Sequence, residues 1–180
     1  MTPRLPPVLS GDDLPLVELN AARLDGELFR IDGGFAPIDE IEQPHHRALA
    51  LSADLPARLI AEQGTAAWIW GALSLPPWHH QLCAAVGARV RPPFVSWMTV
   101  REVVIEPTEV VTIAGMQVTT LLRTAVDITR FSERFDNEER QVVLELMRVG
   151  GLSLQECVTD IESRRNLPNK HRALERLSRC

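Results

Sequence analysis

His79 and Cys83 in the segment WHHQLC have the types and spacing of metal ligands. They are four residues apart, so a helix would place both side chains on one face. Imidazole and thiolate are ligands that Zn²⁺ prefers, but a structural zinc site takes four of them. The remaining candidates match no zinc spacing; they are His45, His46, Cys157, His171 and Cys180. The sequence therefore favours a packed or polar surface here and predicts no metal site and no cofactor.

A second pair lies in the most apolar predicted helix, which follows Thr119 and Thr120. Arg123 and Asp127 are four residues apart, so their side chains meet on one helical face. A guanidinium can hold a carboxylate through two parallel hydrogen bonds where water is excluded. We expect a structural ion pair that fixes this helix. A catalytic role would require a nucleophile or a metal beside the pair, and the sequence indicates neither.

Three carboxylates near predicted strand ends are the remaining candidates for catalysis. Glu102, Glu106 and Glu109 resemble metal-binding carboxylates of nucleases in spacing, but Pro107 interrupts the run and no Glu-x-Lys or Asp-x-Lys partner follows. A metal-dependent nuclease is therefore a remote alternative. The sequence has no phosphate loop, nucleophile elbow or glycine-rich dinucleotide motif. We predict no catalytic residue and no enzymatic activity.

Four tryptophans offer aromatic faces on which nucleic-acid bases can stack. They are Trp68, Trp70, Trp78 and Trp97. Few arginines lie near them in sequence, and the chain has no tyrosine. We therefore expect the tryptophans to pack in the core.

Charge is distributed unevenly along the chain. The 180 residues carry 24 acidic and 19 basic side chains, a net charge of −5. Residues 1–50 contribute −5, residues 51–150 contribute −2, and residues 151–180 contribute +2. A negative chain lacks the global field that steers proteins to nucleic acid, so DNA contact requires a local patch. The best patch comprises Arg164, Arg165, Lys170, Arg172, Arg176 and Arg179; its alternative role is to stabilise helix C-termini.

Composition limits the class of protein. Hydrophobic residues make up 45% of the chain and charged residues 24%, which is typical of globular domains. No apolar run approaches the roughly 20 residues that span a bilayer, and residues 1–10 lack the apolar core of a secretory signal. Three widely spaced cysteines do not form a disulfide framework. We expect a cytoplasmic protein with no membrane partner and no small-molecule substrate.

Hydrophobic periodicity and turn residues predict the order of elements. Helices are predicted over 14–24, 45–52, 55–61, 66–73, 121–131, 136–149, 154–163 and 171–178. Strands are predicted over 84–90, 96–100, 103–105, 110–113 and 116–118, and a further hairpin around Asp32-Gly33-Gly34. Because helices and strands are partly segregated, we predict an α+β fold with a β-rich middle and C-terminal helices.

Two segments carry a family resemblance. They are GTAAWIWGAL at 64–73 and EVVTIAGMQVTTLLRTAVDITR at 109–130. The second contains the pattern Gly-x-x-Val-Thr-Thr-x-x-Arg-Thr-x-x-Asp, formed by Gly115, Val118, Thr119, Thr120, Arg123, Thr124 and Asp127. In order and spacing, residues 45–160 resemble the antitoxin domain of the AbiEi-like family. That family supplies the antitoxin and transcriptional regulator of type IV toxin–antitoxin systems.

The resemblance implies a winged helix-turn-helix before that domain. LDGELFRIDGGFAPI at 24–38 resembles the wing, and here one short helix precedes it. We therefore expect a winged-helix-like remnant over residues 1–43 and an AbiEi-like antitoxin domain over residues 44–180. A complete three-helix reader does not fit in the twenty or so acidic and proline-rich residues before the wing. The helix in the recognition position, 17–24, carries one cation, Arg23.

Three functions follow as hypotheses. The first is a non-catalytic, antitoxin-like transcriptional regulator that binds the DNA of its own promoter. Its expected phosphate contacts come from Arg23, Arg30, Arg164, Arg165, Lys170 and Arg172. The second is a protein-interaction module of the same fold that self-associates or binds a protein partner and has lost DNA binding. The third is the metal-dependent nuclease.

Overall fold

The arrangement of helices and strands confirms the predicted α+β class. The computed structural model describes residues 6–53, 55–88 and 95–180. Over these residues it contains a two-stranded sheet, a five-stranded sheet and seven α-helices. The chain divides into a first unit, which extends to Ala57 and includes Thr112–Met116, and a second unit, which comprises Arg58–Val111 and Gln117–Cys180.

The first unit is organised around a β-hairpin. Its elements are α1 (Leu16–Leu24), β1 (Leu28–Ile31), β2 (Gly34–Pro37) and α2 (Pro44–Ser52). Asp32 in the hairpin turn has φ 47°, a left-handed conformation that Asp tolerates better than most residues. Leu9 and Phe35 exchange two backbone hydrogen bonds of 2.7 and 2.9 Å. A Cβ on Gly34 would lie 2.5 Å from Val8 Cγ1, so only glycine fits where β2 passes this N-terminal segment.

The first unit has an apolar core of its own. Leu9, Leu19 and Phe35 are buried together in one cluster, and the other buried apolar residues of the unit are Val8, Ile31, Ala36, Ala48, Ala50 and Leu51. Three other apolar side chains of α1 are exposed, because Leu16, Val17 and Leu24 are 57%, 80% and 78% exposed. The helix thus buries Leu19 and leaves much of its apolar surface exposed.

The sequence-based division after residue 43 and the division by contacts place α2 differently. The first assigns α2 to the larger domain, whereas the first unit extends to Ala57 and contains it. Within the described residues, no helix is both long and apolar enough to cross a lipid bilayer.

The five-stranded sheet has the strand order β5-β4-β3-β7-β6. Its strands are β3 (Ile60–Ala61), β4 (His80–Ala85), β5 (Met98–Val103), β6 (Val110–Ile113) and β7 (Met116–Thr119). β3 is antiparallel to β4 and parallel to β7, and β4 is parallel to β5. Because β3 and β7 are parallel, the helices that follow them begin at the same edge of the sheet.

The helices of the second unit surround a larger core. They are α3 (Gln63–Ile69), α4 (Leu121–Phe131), α5 (Asn137–Gly150), α6 (Leu154–Ser163) and α7 (Lys170–Leu177), with a 3₁₀ turn at Pro107–Glu109. The core cluster comprises Ala67, Ala125, Val126, Ile128, Val143, Leu146, Met147, Cys157, Ile161, Ala173 and Leu177. The N-cap residues of α5 and α6 are Asp136 and Ser153, and both form capping boxes, with Glu139 and Glu156.

Several predicted elements in the middle of the chain were wrong. The helix predicted over 55–61 is absent, and its last two residues, Ile60 and Ala61, form β3. The strand predicted over 84–90 begins earlier, at His80, and ends at Ala85; residues 89–90 lie outside the described residues. The two strands predicted over 96–100 and 103–105 are one strand, Met98–Val103.

Candidate functional site

Helix α4 carries three charged side chains that are buried together. Asp127 is 1% exposed; its Oδ2 accepts a hydrogen bond from Arg123 Nε at 2.8 Å, and its Oδ1 accepts one from Arg130 Nη1 at 2.7 Å. These residues lie one helical turn apart, so the helix itself brings them into contact. Thr120 caps α4 by accepting from the backbone N–H of Arg123 at 3.3 Å. The N-terminal cap of α4 therefore fixes the backbone position of Arg123.

Strand β5 contributes a further arginine to this group. Arg101 Nε and Nη2 donate to the two carboxylate oxygens of Glu62 at 2.5 and 2.6 Å. Glu62 follows β3 directly and is 1% exposed. Arg101 Nη2 also lies 3.5 Å from Asp127 Oδ2. One carboxylate, that of Asp127, is therefore shared by three guanidinium groups.

A second carboxylate extends the network towards the C-terminal helices. Glu109, in the 3₁₀ turn, accepts from Arg123 Nη1 at 2.8 Å and pairs with Arg164 Nη2 at 2.6 Å. Arg164 also makes two hydrogen bonds with Asp160, of 2.8 and 3.1 Å. Arg123 thus joins Asp127 to Glu109, and Arg164 joins Glu109 to α6.

The pKa shifts in this network show where positive charge is compensated. Burial alone would lower the pKa of Arg123, but the carboxylates of Asp127 and Glu109 outweigh burial and raise it. For Arg130 the balance is opposite. Burial lowers its pKa, and the carboxylate of Asp127 outweighs the positive charges of Arg123 and Arg101 without offsetting burial. Burial is therefore the main cause of the lowered pKa of Arg130.

An aromatic ring and an open cavity lie beside the same arginines. The guanidinium carbons of Arg101 and Arg130 lie 4.1 and 4.4 Å from the ring centroid of Phe131, within the range of cation–π attraction. The adjoining cavity has a volume of about 470 Å³. Its lining comprises Arg101, Glu102, Val103, Val104, Arg123, Arg130, Phe131, Arg164, Asn166, Leu167 and Pro168. The cavity is therefore lined by four guanidinium groups and one carboxylate.

The four cations predicted in the C-terminal part differ in their availability. Arg164 is engaged with Glu109 and Asp160. Lys170 Nζ donates to the carbonyl groups of Glu162 and Arg164 at 2.8 and 3.1 Å, and so satisfies carbonyls at the end of α6. Arg165 and Arg172 are exposed. These two side chains are therefore the ones most available to a polyanion.

The two cations predicted in the N-terminal part lie in the first unit. Arg23, in the last turn of α1, and Arg30, on β1, are both exposed. Arg30 Nε donates to the carbonyl oxygen of Asp32 at 2.9 Å, so this contact spans the hairpin turn. The six predicted DNA contacts are consequently divided between two units, with four of them in the second.

His79 and Cys83 do not share a helical face, because this segment enters strand β4. His79 is exposed, whereas Cys83 is fully buried. Burial raises the pKa of the Cys83 thiol, and Glu62 raises it further. A protonated thiol is a poor metal ligand. No cluster of three His, Cys, Asp or Glu side chains among the described residues has a geometry that could hold a metal ion.

The candidate nuclease carboxylates are not arranged as a metal site. Glu102, on β5, and Glu106 are exposed. Glu109 is buried and bound to two arginines, and it also accepts from the backbone N–H of Glu106 at 2.8 Å. Its oxygens are therefore directed to protein donors.

The tryptophans do not share one environment. Trp68 is 1% exposed, and Trp70 Nε1 donates to the carbonyl oxygen of Thr119 at 2.9 Å. Trp78, in contrast, is 99% exposed and Trp97 is 37% exposed. The expectation that all four pack in the core was wrong for Trp78, which follows Pro76-Pro77 in a turn outside the regular elements.

Sequence reasoning identified Arg123 and Asp127 but missed most of their partners. Glu62 and Arg101 are separated by 39 residues, so no local spacing connects them. Arg130 lies three residues after Asp127 and was accessible to the same helical argument. Glu109 was considered only within the remote nuclease alternative, and its partners, arginines on α4 and at the end of α6, were not predicted.

No protein-family model matches this sequence, and no curated protein matches it. Among solved structures, the chain is similar to the crystal structure of the Rv2827c protein from Mycobacterium tuberculosis. The identity is 16%, the match covers 97% of this chain and 71% of that chain, and the TM-score is 0.47. At this level the similarity carries no functional conclusion.

Proposed function

We propose that this chain is a non-catalytic, antitoxin-like transcriptional regulator that contacts DNA through the basic segment 163–174. The observation that carries the proposal is the charge of this segment, which contains Arg164, Arg165, Lys170 and Arg172 but no carboxylate. Arg165 and Arg172 are exposed there. Phosphate contacts from such side chains supply most of the affinity of non-specific DNA binding. The proposal places the protein in the cytoplasm, with its own promoter as the expected site.

The charges of the two units support a contact through the second. Residues 1–57 carry ten carboxylates and four arginines, a net charge of −6, and residues 112–116 carry no charge. The remaining residues carry fourteen carboxylates, fourteen arginines and one lysine, a net charge of +1. A surface of net charge −6 repels the DNA backbone. Arg23 and Arg30 therefore serve DNA binding less well than the basic segment does.

The regulatory part of the proposal rests on the resemblance to the AbiEi-like family together with one arrangement in the first unit. There α1 leads directly into the hairpin β1–β2, and Leu9 pairs with the second strand of the hairpin. A helix followed by a wing, with a short strand bridging the wing, is the order of a winged helix. Co-expression with the protein encoded beside it, scored as relief of growth inhibition, tests the antitoxin role.

Fluorescence anisotropy tests the DNA contact. Labelled duplexes from the chain's own upstream region and of scrambled sequence would be titrated at two salt concentrations. We expect tighter binding to the upstream duplex, weakened by salt. The double variant R165A/R172A should lower the slope of log affinity against log salt by about two, because each phosphate contact contributes about one.

The matched control is R134A/R148A, which removes the same charge at exposed positions outside the basic segment. It should leave most of the affinity. If both double variants lost the same DNA affinity, the loss would follow from the change in net charge alone, and this result would contradict the proposed contact. A loss confined to R23A/R30A would move the contact to the first unit.

The exposed apolar side chains of α1 favour a second candidate, a protein-interaction module. Leu16, Val17 and Leu24 are each more than half exposed on this nine-residue helix. Contiguous exposed apolar side chains are typical of protein interfaces. Light scattering with L16Q/V17Q should then show loss of an assembly that L75Q, at an exposed position of the second unit, retains. A monomer at every concentration, with no protein partner recovered, would exclude this candidate.

A further inference from the structure

The lining of the cavity beside Phe131 is mainly cationic. Asp127 has two carboxylate oxygens, yet Arg101, Arg123 and Arg130 all approach it within 3.5 Å. The four guanidinium groups that line the cavity are accompanied there by one carboxylate, that of the exposed Glu102. The carboxylates that pair with these arginines are those of Glu62, Asp127, Glu109 and Asp160, and none of the four is among the lining residues.

The arginines also retain hydrogen-bond donors that the protein does not use. Arg101 donates through Nε and Nη2, and Arg130 donates through Nε to the carbonyl oxygen of Pro168 and through Nη1 to Asp127. Within the described part of the chain, no hydrogen bond is made by Arg101 Nη1, Arg123 Nη2, Arg130 Nη2 or Arg164 Nη1. A guanidinium carries five N–H donors. The side chains therefore present unused donors beside a cavity whose lining is mainly cationic.

The geometry of these donors is rigid. Carboxylates hold each guanidinium from one side, and Phe131 lies against both Arg101 and Arg130. A site whose donors are already fixed loses little side-chain entropy when a ligand binds. Forked guanidinium donors match the oxygens of a phosphate group, which accepts several charge-assisted hydrogen bonds at once.

The size and walls of the cavity indicate what accompanies the phosphate. Its volume of about 470 Å³ falls in the range of sites for small organic ligands. Val103, Val104, Leu167 and Pro168 supply apolar walls, and Asn166 supplies an amide. A free inorganic anion would leave most of this space unfilled.

We propose that this cavity binds a phosphomonoester, with its phosphate held by Arg101, Arg130 and Arg164 and its organic part against the apolar walls. The site goes beyond the DNA contact proposed above, because Arg164 is the one cation that the two sets share. Two kinds of molecule carry such a phosphomonoester group: a free nucleotide and a nucleic-acid strand that ends in a 5′-phosphate. The experiment therefore includes both.

Isothermal titration at constant ionic strength tests the proposal on the full chain. The probes are adenosine 5′-monophosphate, adenosine, and a short single-stranded oligonucleotide with and without a 5′-phosphate. We expect saturable binding of a phosphorylated probe with a dissociation constant of about 1 mM or lower, and no binding of its unphosphorylated counterpart at that concentration. Binding of the nucleotide identifies a small-molecule site, whereas binding of only the phosphorylated oligonucleotide identifies a strand end.

Two variants near the cavity rim locate the binding. R164Q should weaken it about tenfold, because a charge-assisted contact to phosphate is lost. E102Q should tighten it about threefold, because it removes one partly screened negative charge from the lining. Glu102 is exposed, so this variant retains the fold even if R164Q, which also loses its pairs with Glu109 and Asp160, does not.

The control is E175Q, which removes an exposed carboxylate that does not line the cavity. It should leave the dissociation constant unchanged. The proposal is overturned if no phosphorylated probe binds with a dissociation constant of about 1 mM or lower, if adenosine binds as tightly as its monophosphate, or if E102Q and E175Q have the same affinity as the unmodified chain.

Discussion

The two units place their charged side chains differently. In the first unit, Leu9, Leu19 and Phe35 form an apolar cluster, and Arg23 and Arg30 are exposed. The second unit has a larger apolar core, but it also buries a network of charges. The network members that are 8% exposed or less are Glu62, Glu109, Arg123, Asp127 and Arg130.

This difference shows two ways in which a chain of this length can hold an α+β unit together. Removing one partner of a buried ion pair leaves a charge without compensation, so the fold of the second unit depends on exact pairing. The first unit depends on a few apolar contacts. The stability of the first unit should therefore be most sensitive to changes at its buried leucines and least sensitive to changes at its surface charges.

The largest expected effect concerns Asp127. D127N retains the shape of the side chain but leaves three guanidinium groups without their shared carboxylate, which should lower the free energy of unfolding by about 3–5 kcal/mol. Denaturant unfolding followed by circular dichroism measures this. The control is E175Q, in an exposed pair with Arg179, which should cost about 1 kcal/mol or less. Equal costs would remove the contrast between buried and exposed charge.

The next effect concerns the core of the first unit. Leu19 is fully buried, and L19A should cost this unit about 2–5 kcal/mol through lost burial and a residual cavity. Hydrogen exchange should show faster exchange in α1 and β2, with α4 unchanged. L146A, at a fully buried position of the second unit, should give the reverse pattern. If L19A accelerated exchange in α4 as strongly as in α1, the units would not be independent in stability.

A smaller effect concerns the acid stability of the second unit. Burial alone would raise the pKa of Glu109, but the backbone N–H of Glu106 and the guanidiniums of Arg164 and Arg123 outweigh burial and lower it below the ordinary value of 4.5. A carboxyl group with a lowered folded-state pKa stabilises the fold above its unfolded pKa, and this contribution is lost as the pH falls through the folded value. E109Q should cost about 1–3 kcal/mol at neutral pH and reduce the acid dependence below pH 4.5.

Denaturant unfolding of both forms at neutral pH and at several acidic values checks this expectation. E156Q serves as the control, because Glu156 caps α6 at the surface. If the free energy of unfolding of E109Q fell as steeply with decreasing pH as that of the unmodified chain, Glu109 would not be a cause of the acid dependence.

The smallest effect changes reactivity rather than stability. Cys83 and Cys157 are buried, and burial raises the pKa of both thiols, that of Cys157 to about 11. Cys180 is only partly buried, although burial also raises its pKa. We expect a thiol reagent to modify one cysteine in the native protein, faster at higher pH, and three after denaturation. C180S should abolish the native reaction; a remaining fast reaction would show that the second unit opens.

Local signals predicted the parts of the fold that depend on neighbouring residues. Ser153 and Glu156 fix the start of α6, and the turn at Ala114-Gly115 separates β6 from β7 as expected. β3 has two residues, and its neighbours in the sheet come from β4 and β7. The residue pattern within 55–61 does not indicate that β3 pairs with β4 and β7. The segment was therefore predicted to be a helix.

The same distinction applies to the candidate site. Arg123 and Asp127 were predicted because four residues separate them on one helix. The pair Glu62–Arg101 requires that β3 and β5 lie two strands apart in the same sheet, which depends on the strand order. The cavity depends in addition on Asn166 and Pro168, between α6 and α7, so no single segment of sequence contains it.

The distribution of tryptophans gives the two units different spectroscopic visibility. All four lie between positions 68 and 97, and the chain has no tyrosine, so residues 1–57 are silent in intrinsic fluorescence excited in the indole band. An emission-based melting curve reports the second unit alone. Within it, buried Trp68 should emit towards the blue, while Trp78, 99% exposed, should emit towards the red and be quenched by iodide. A single unfolding transition in the emission curve would therefore say nothing about whether the first unit is folded.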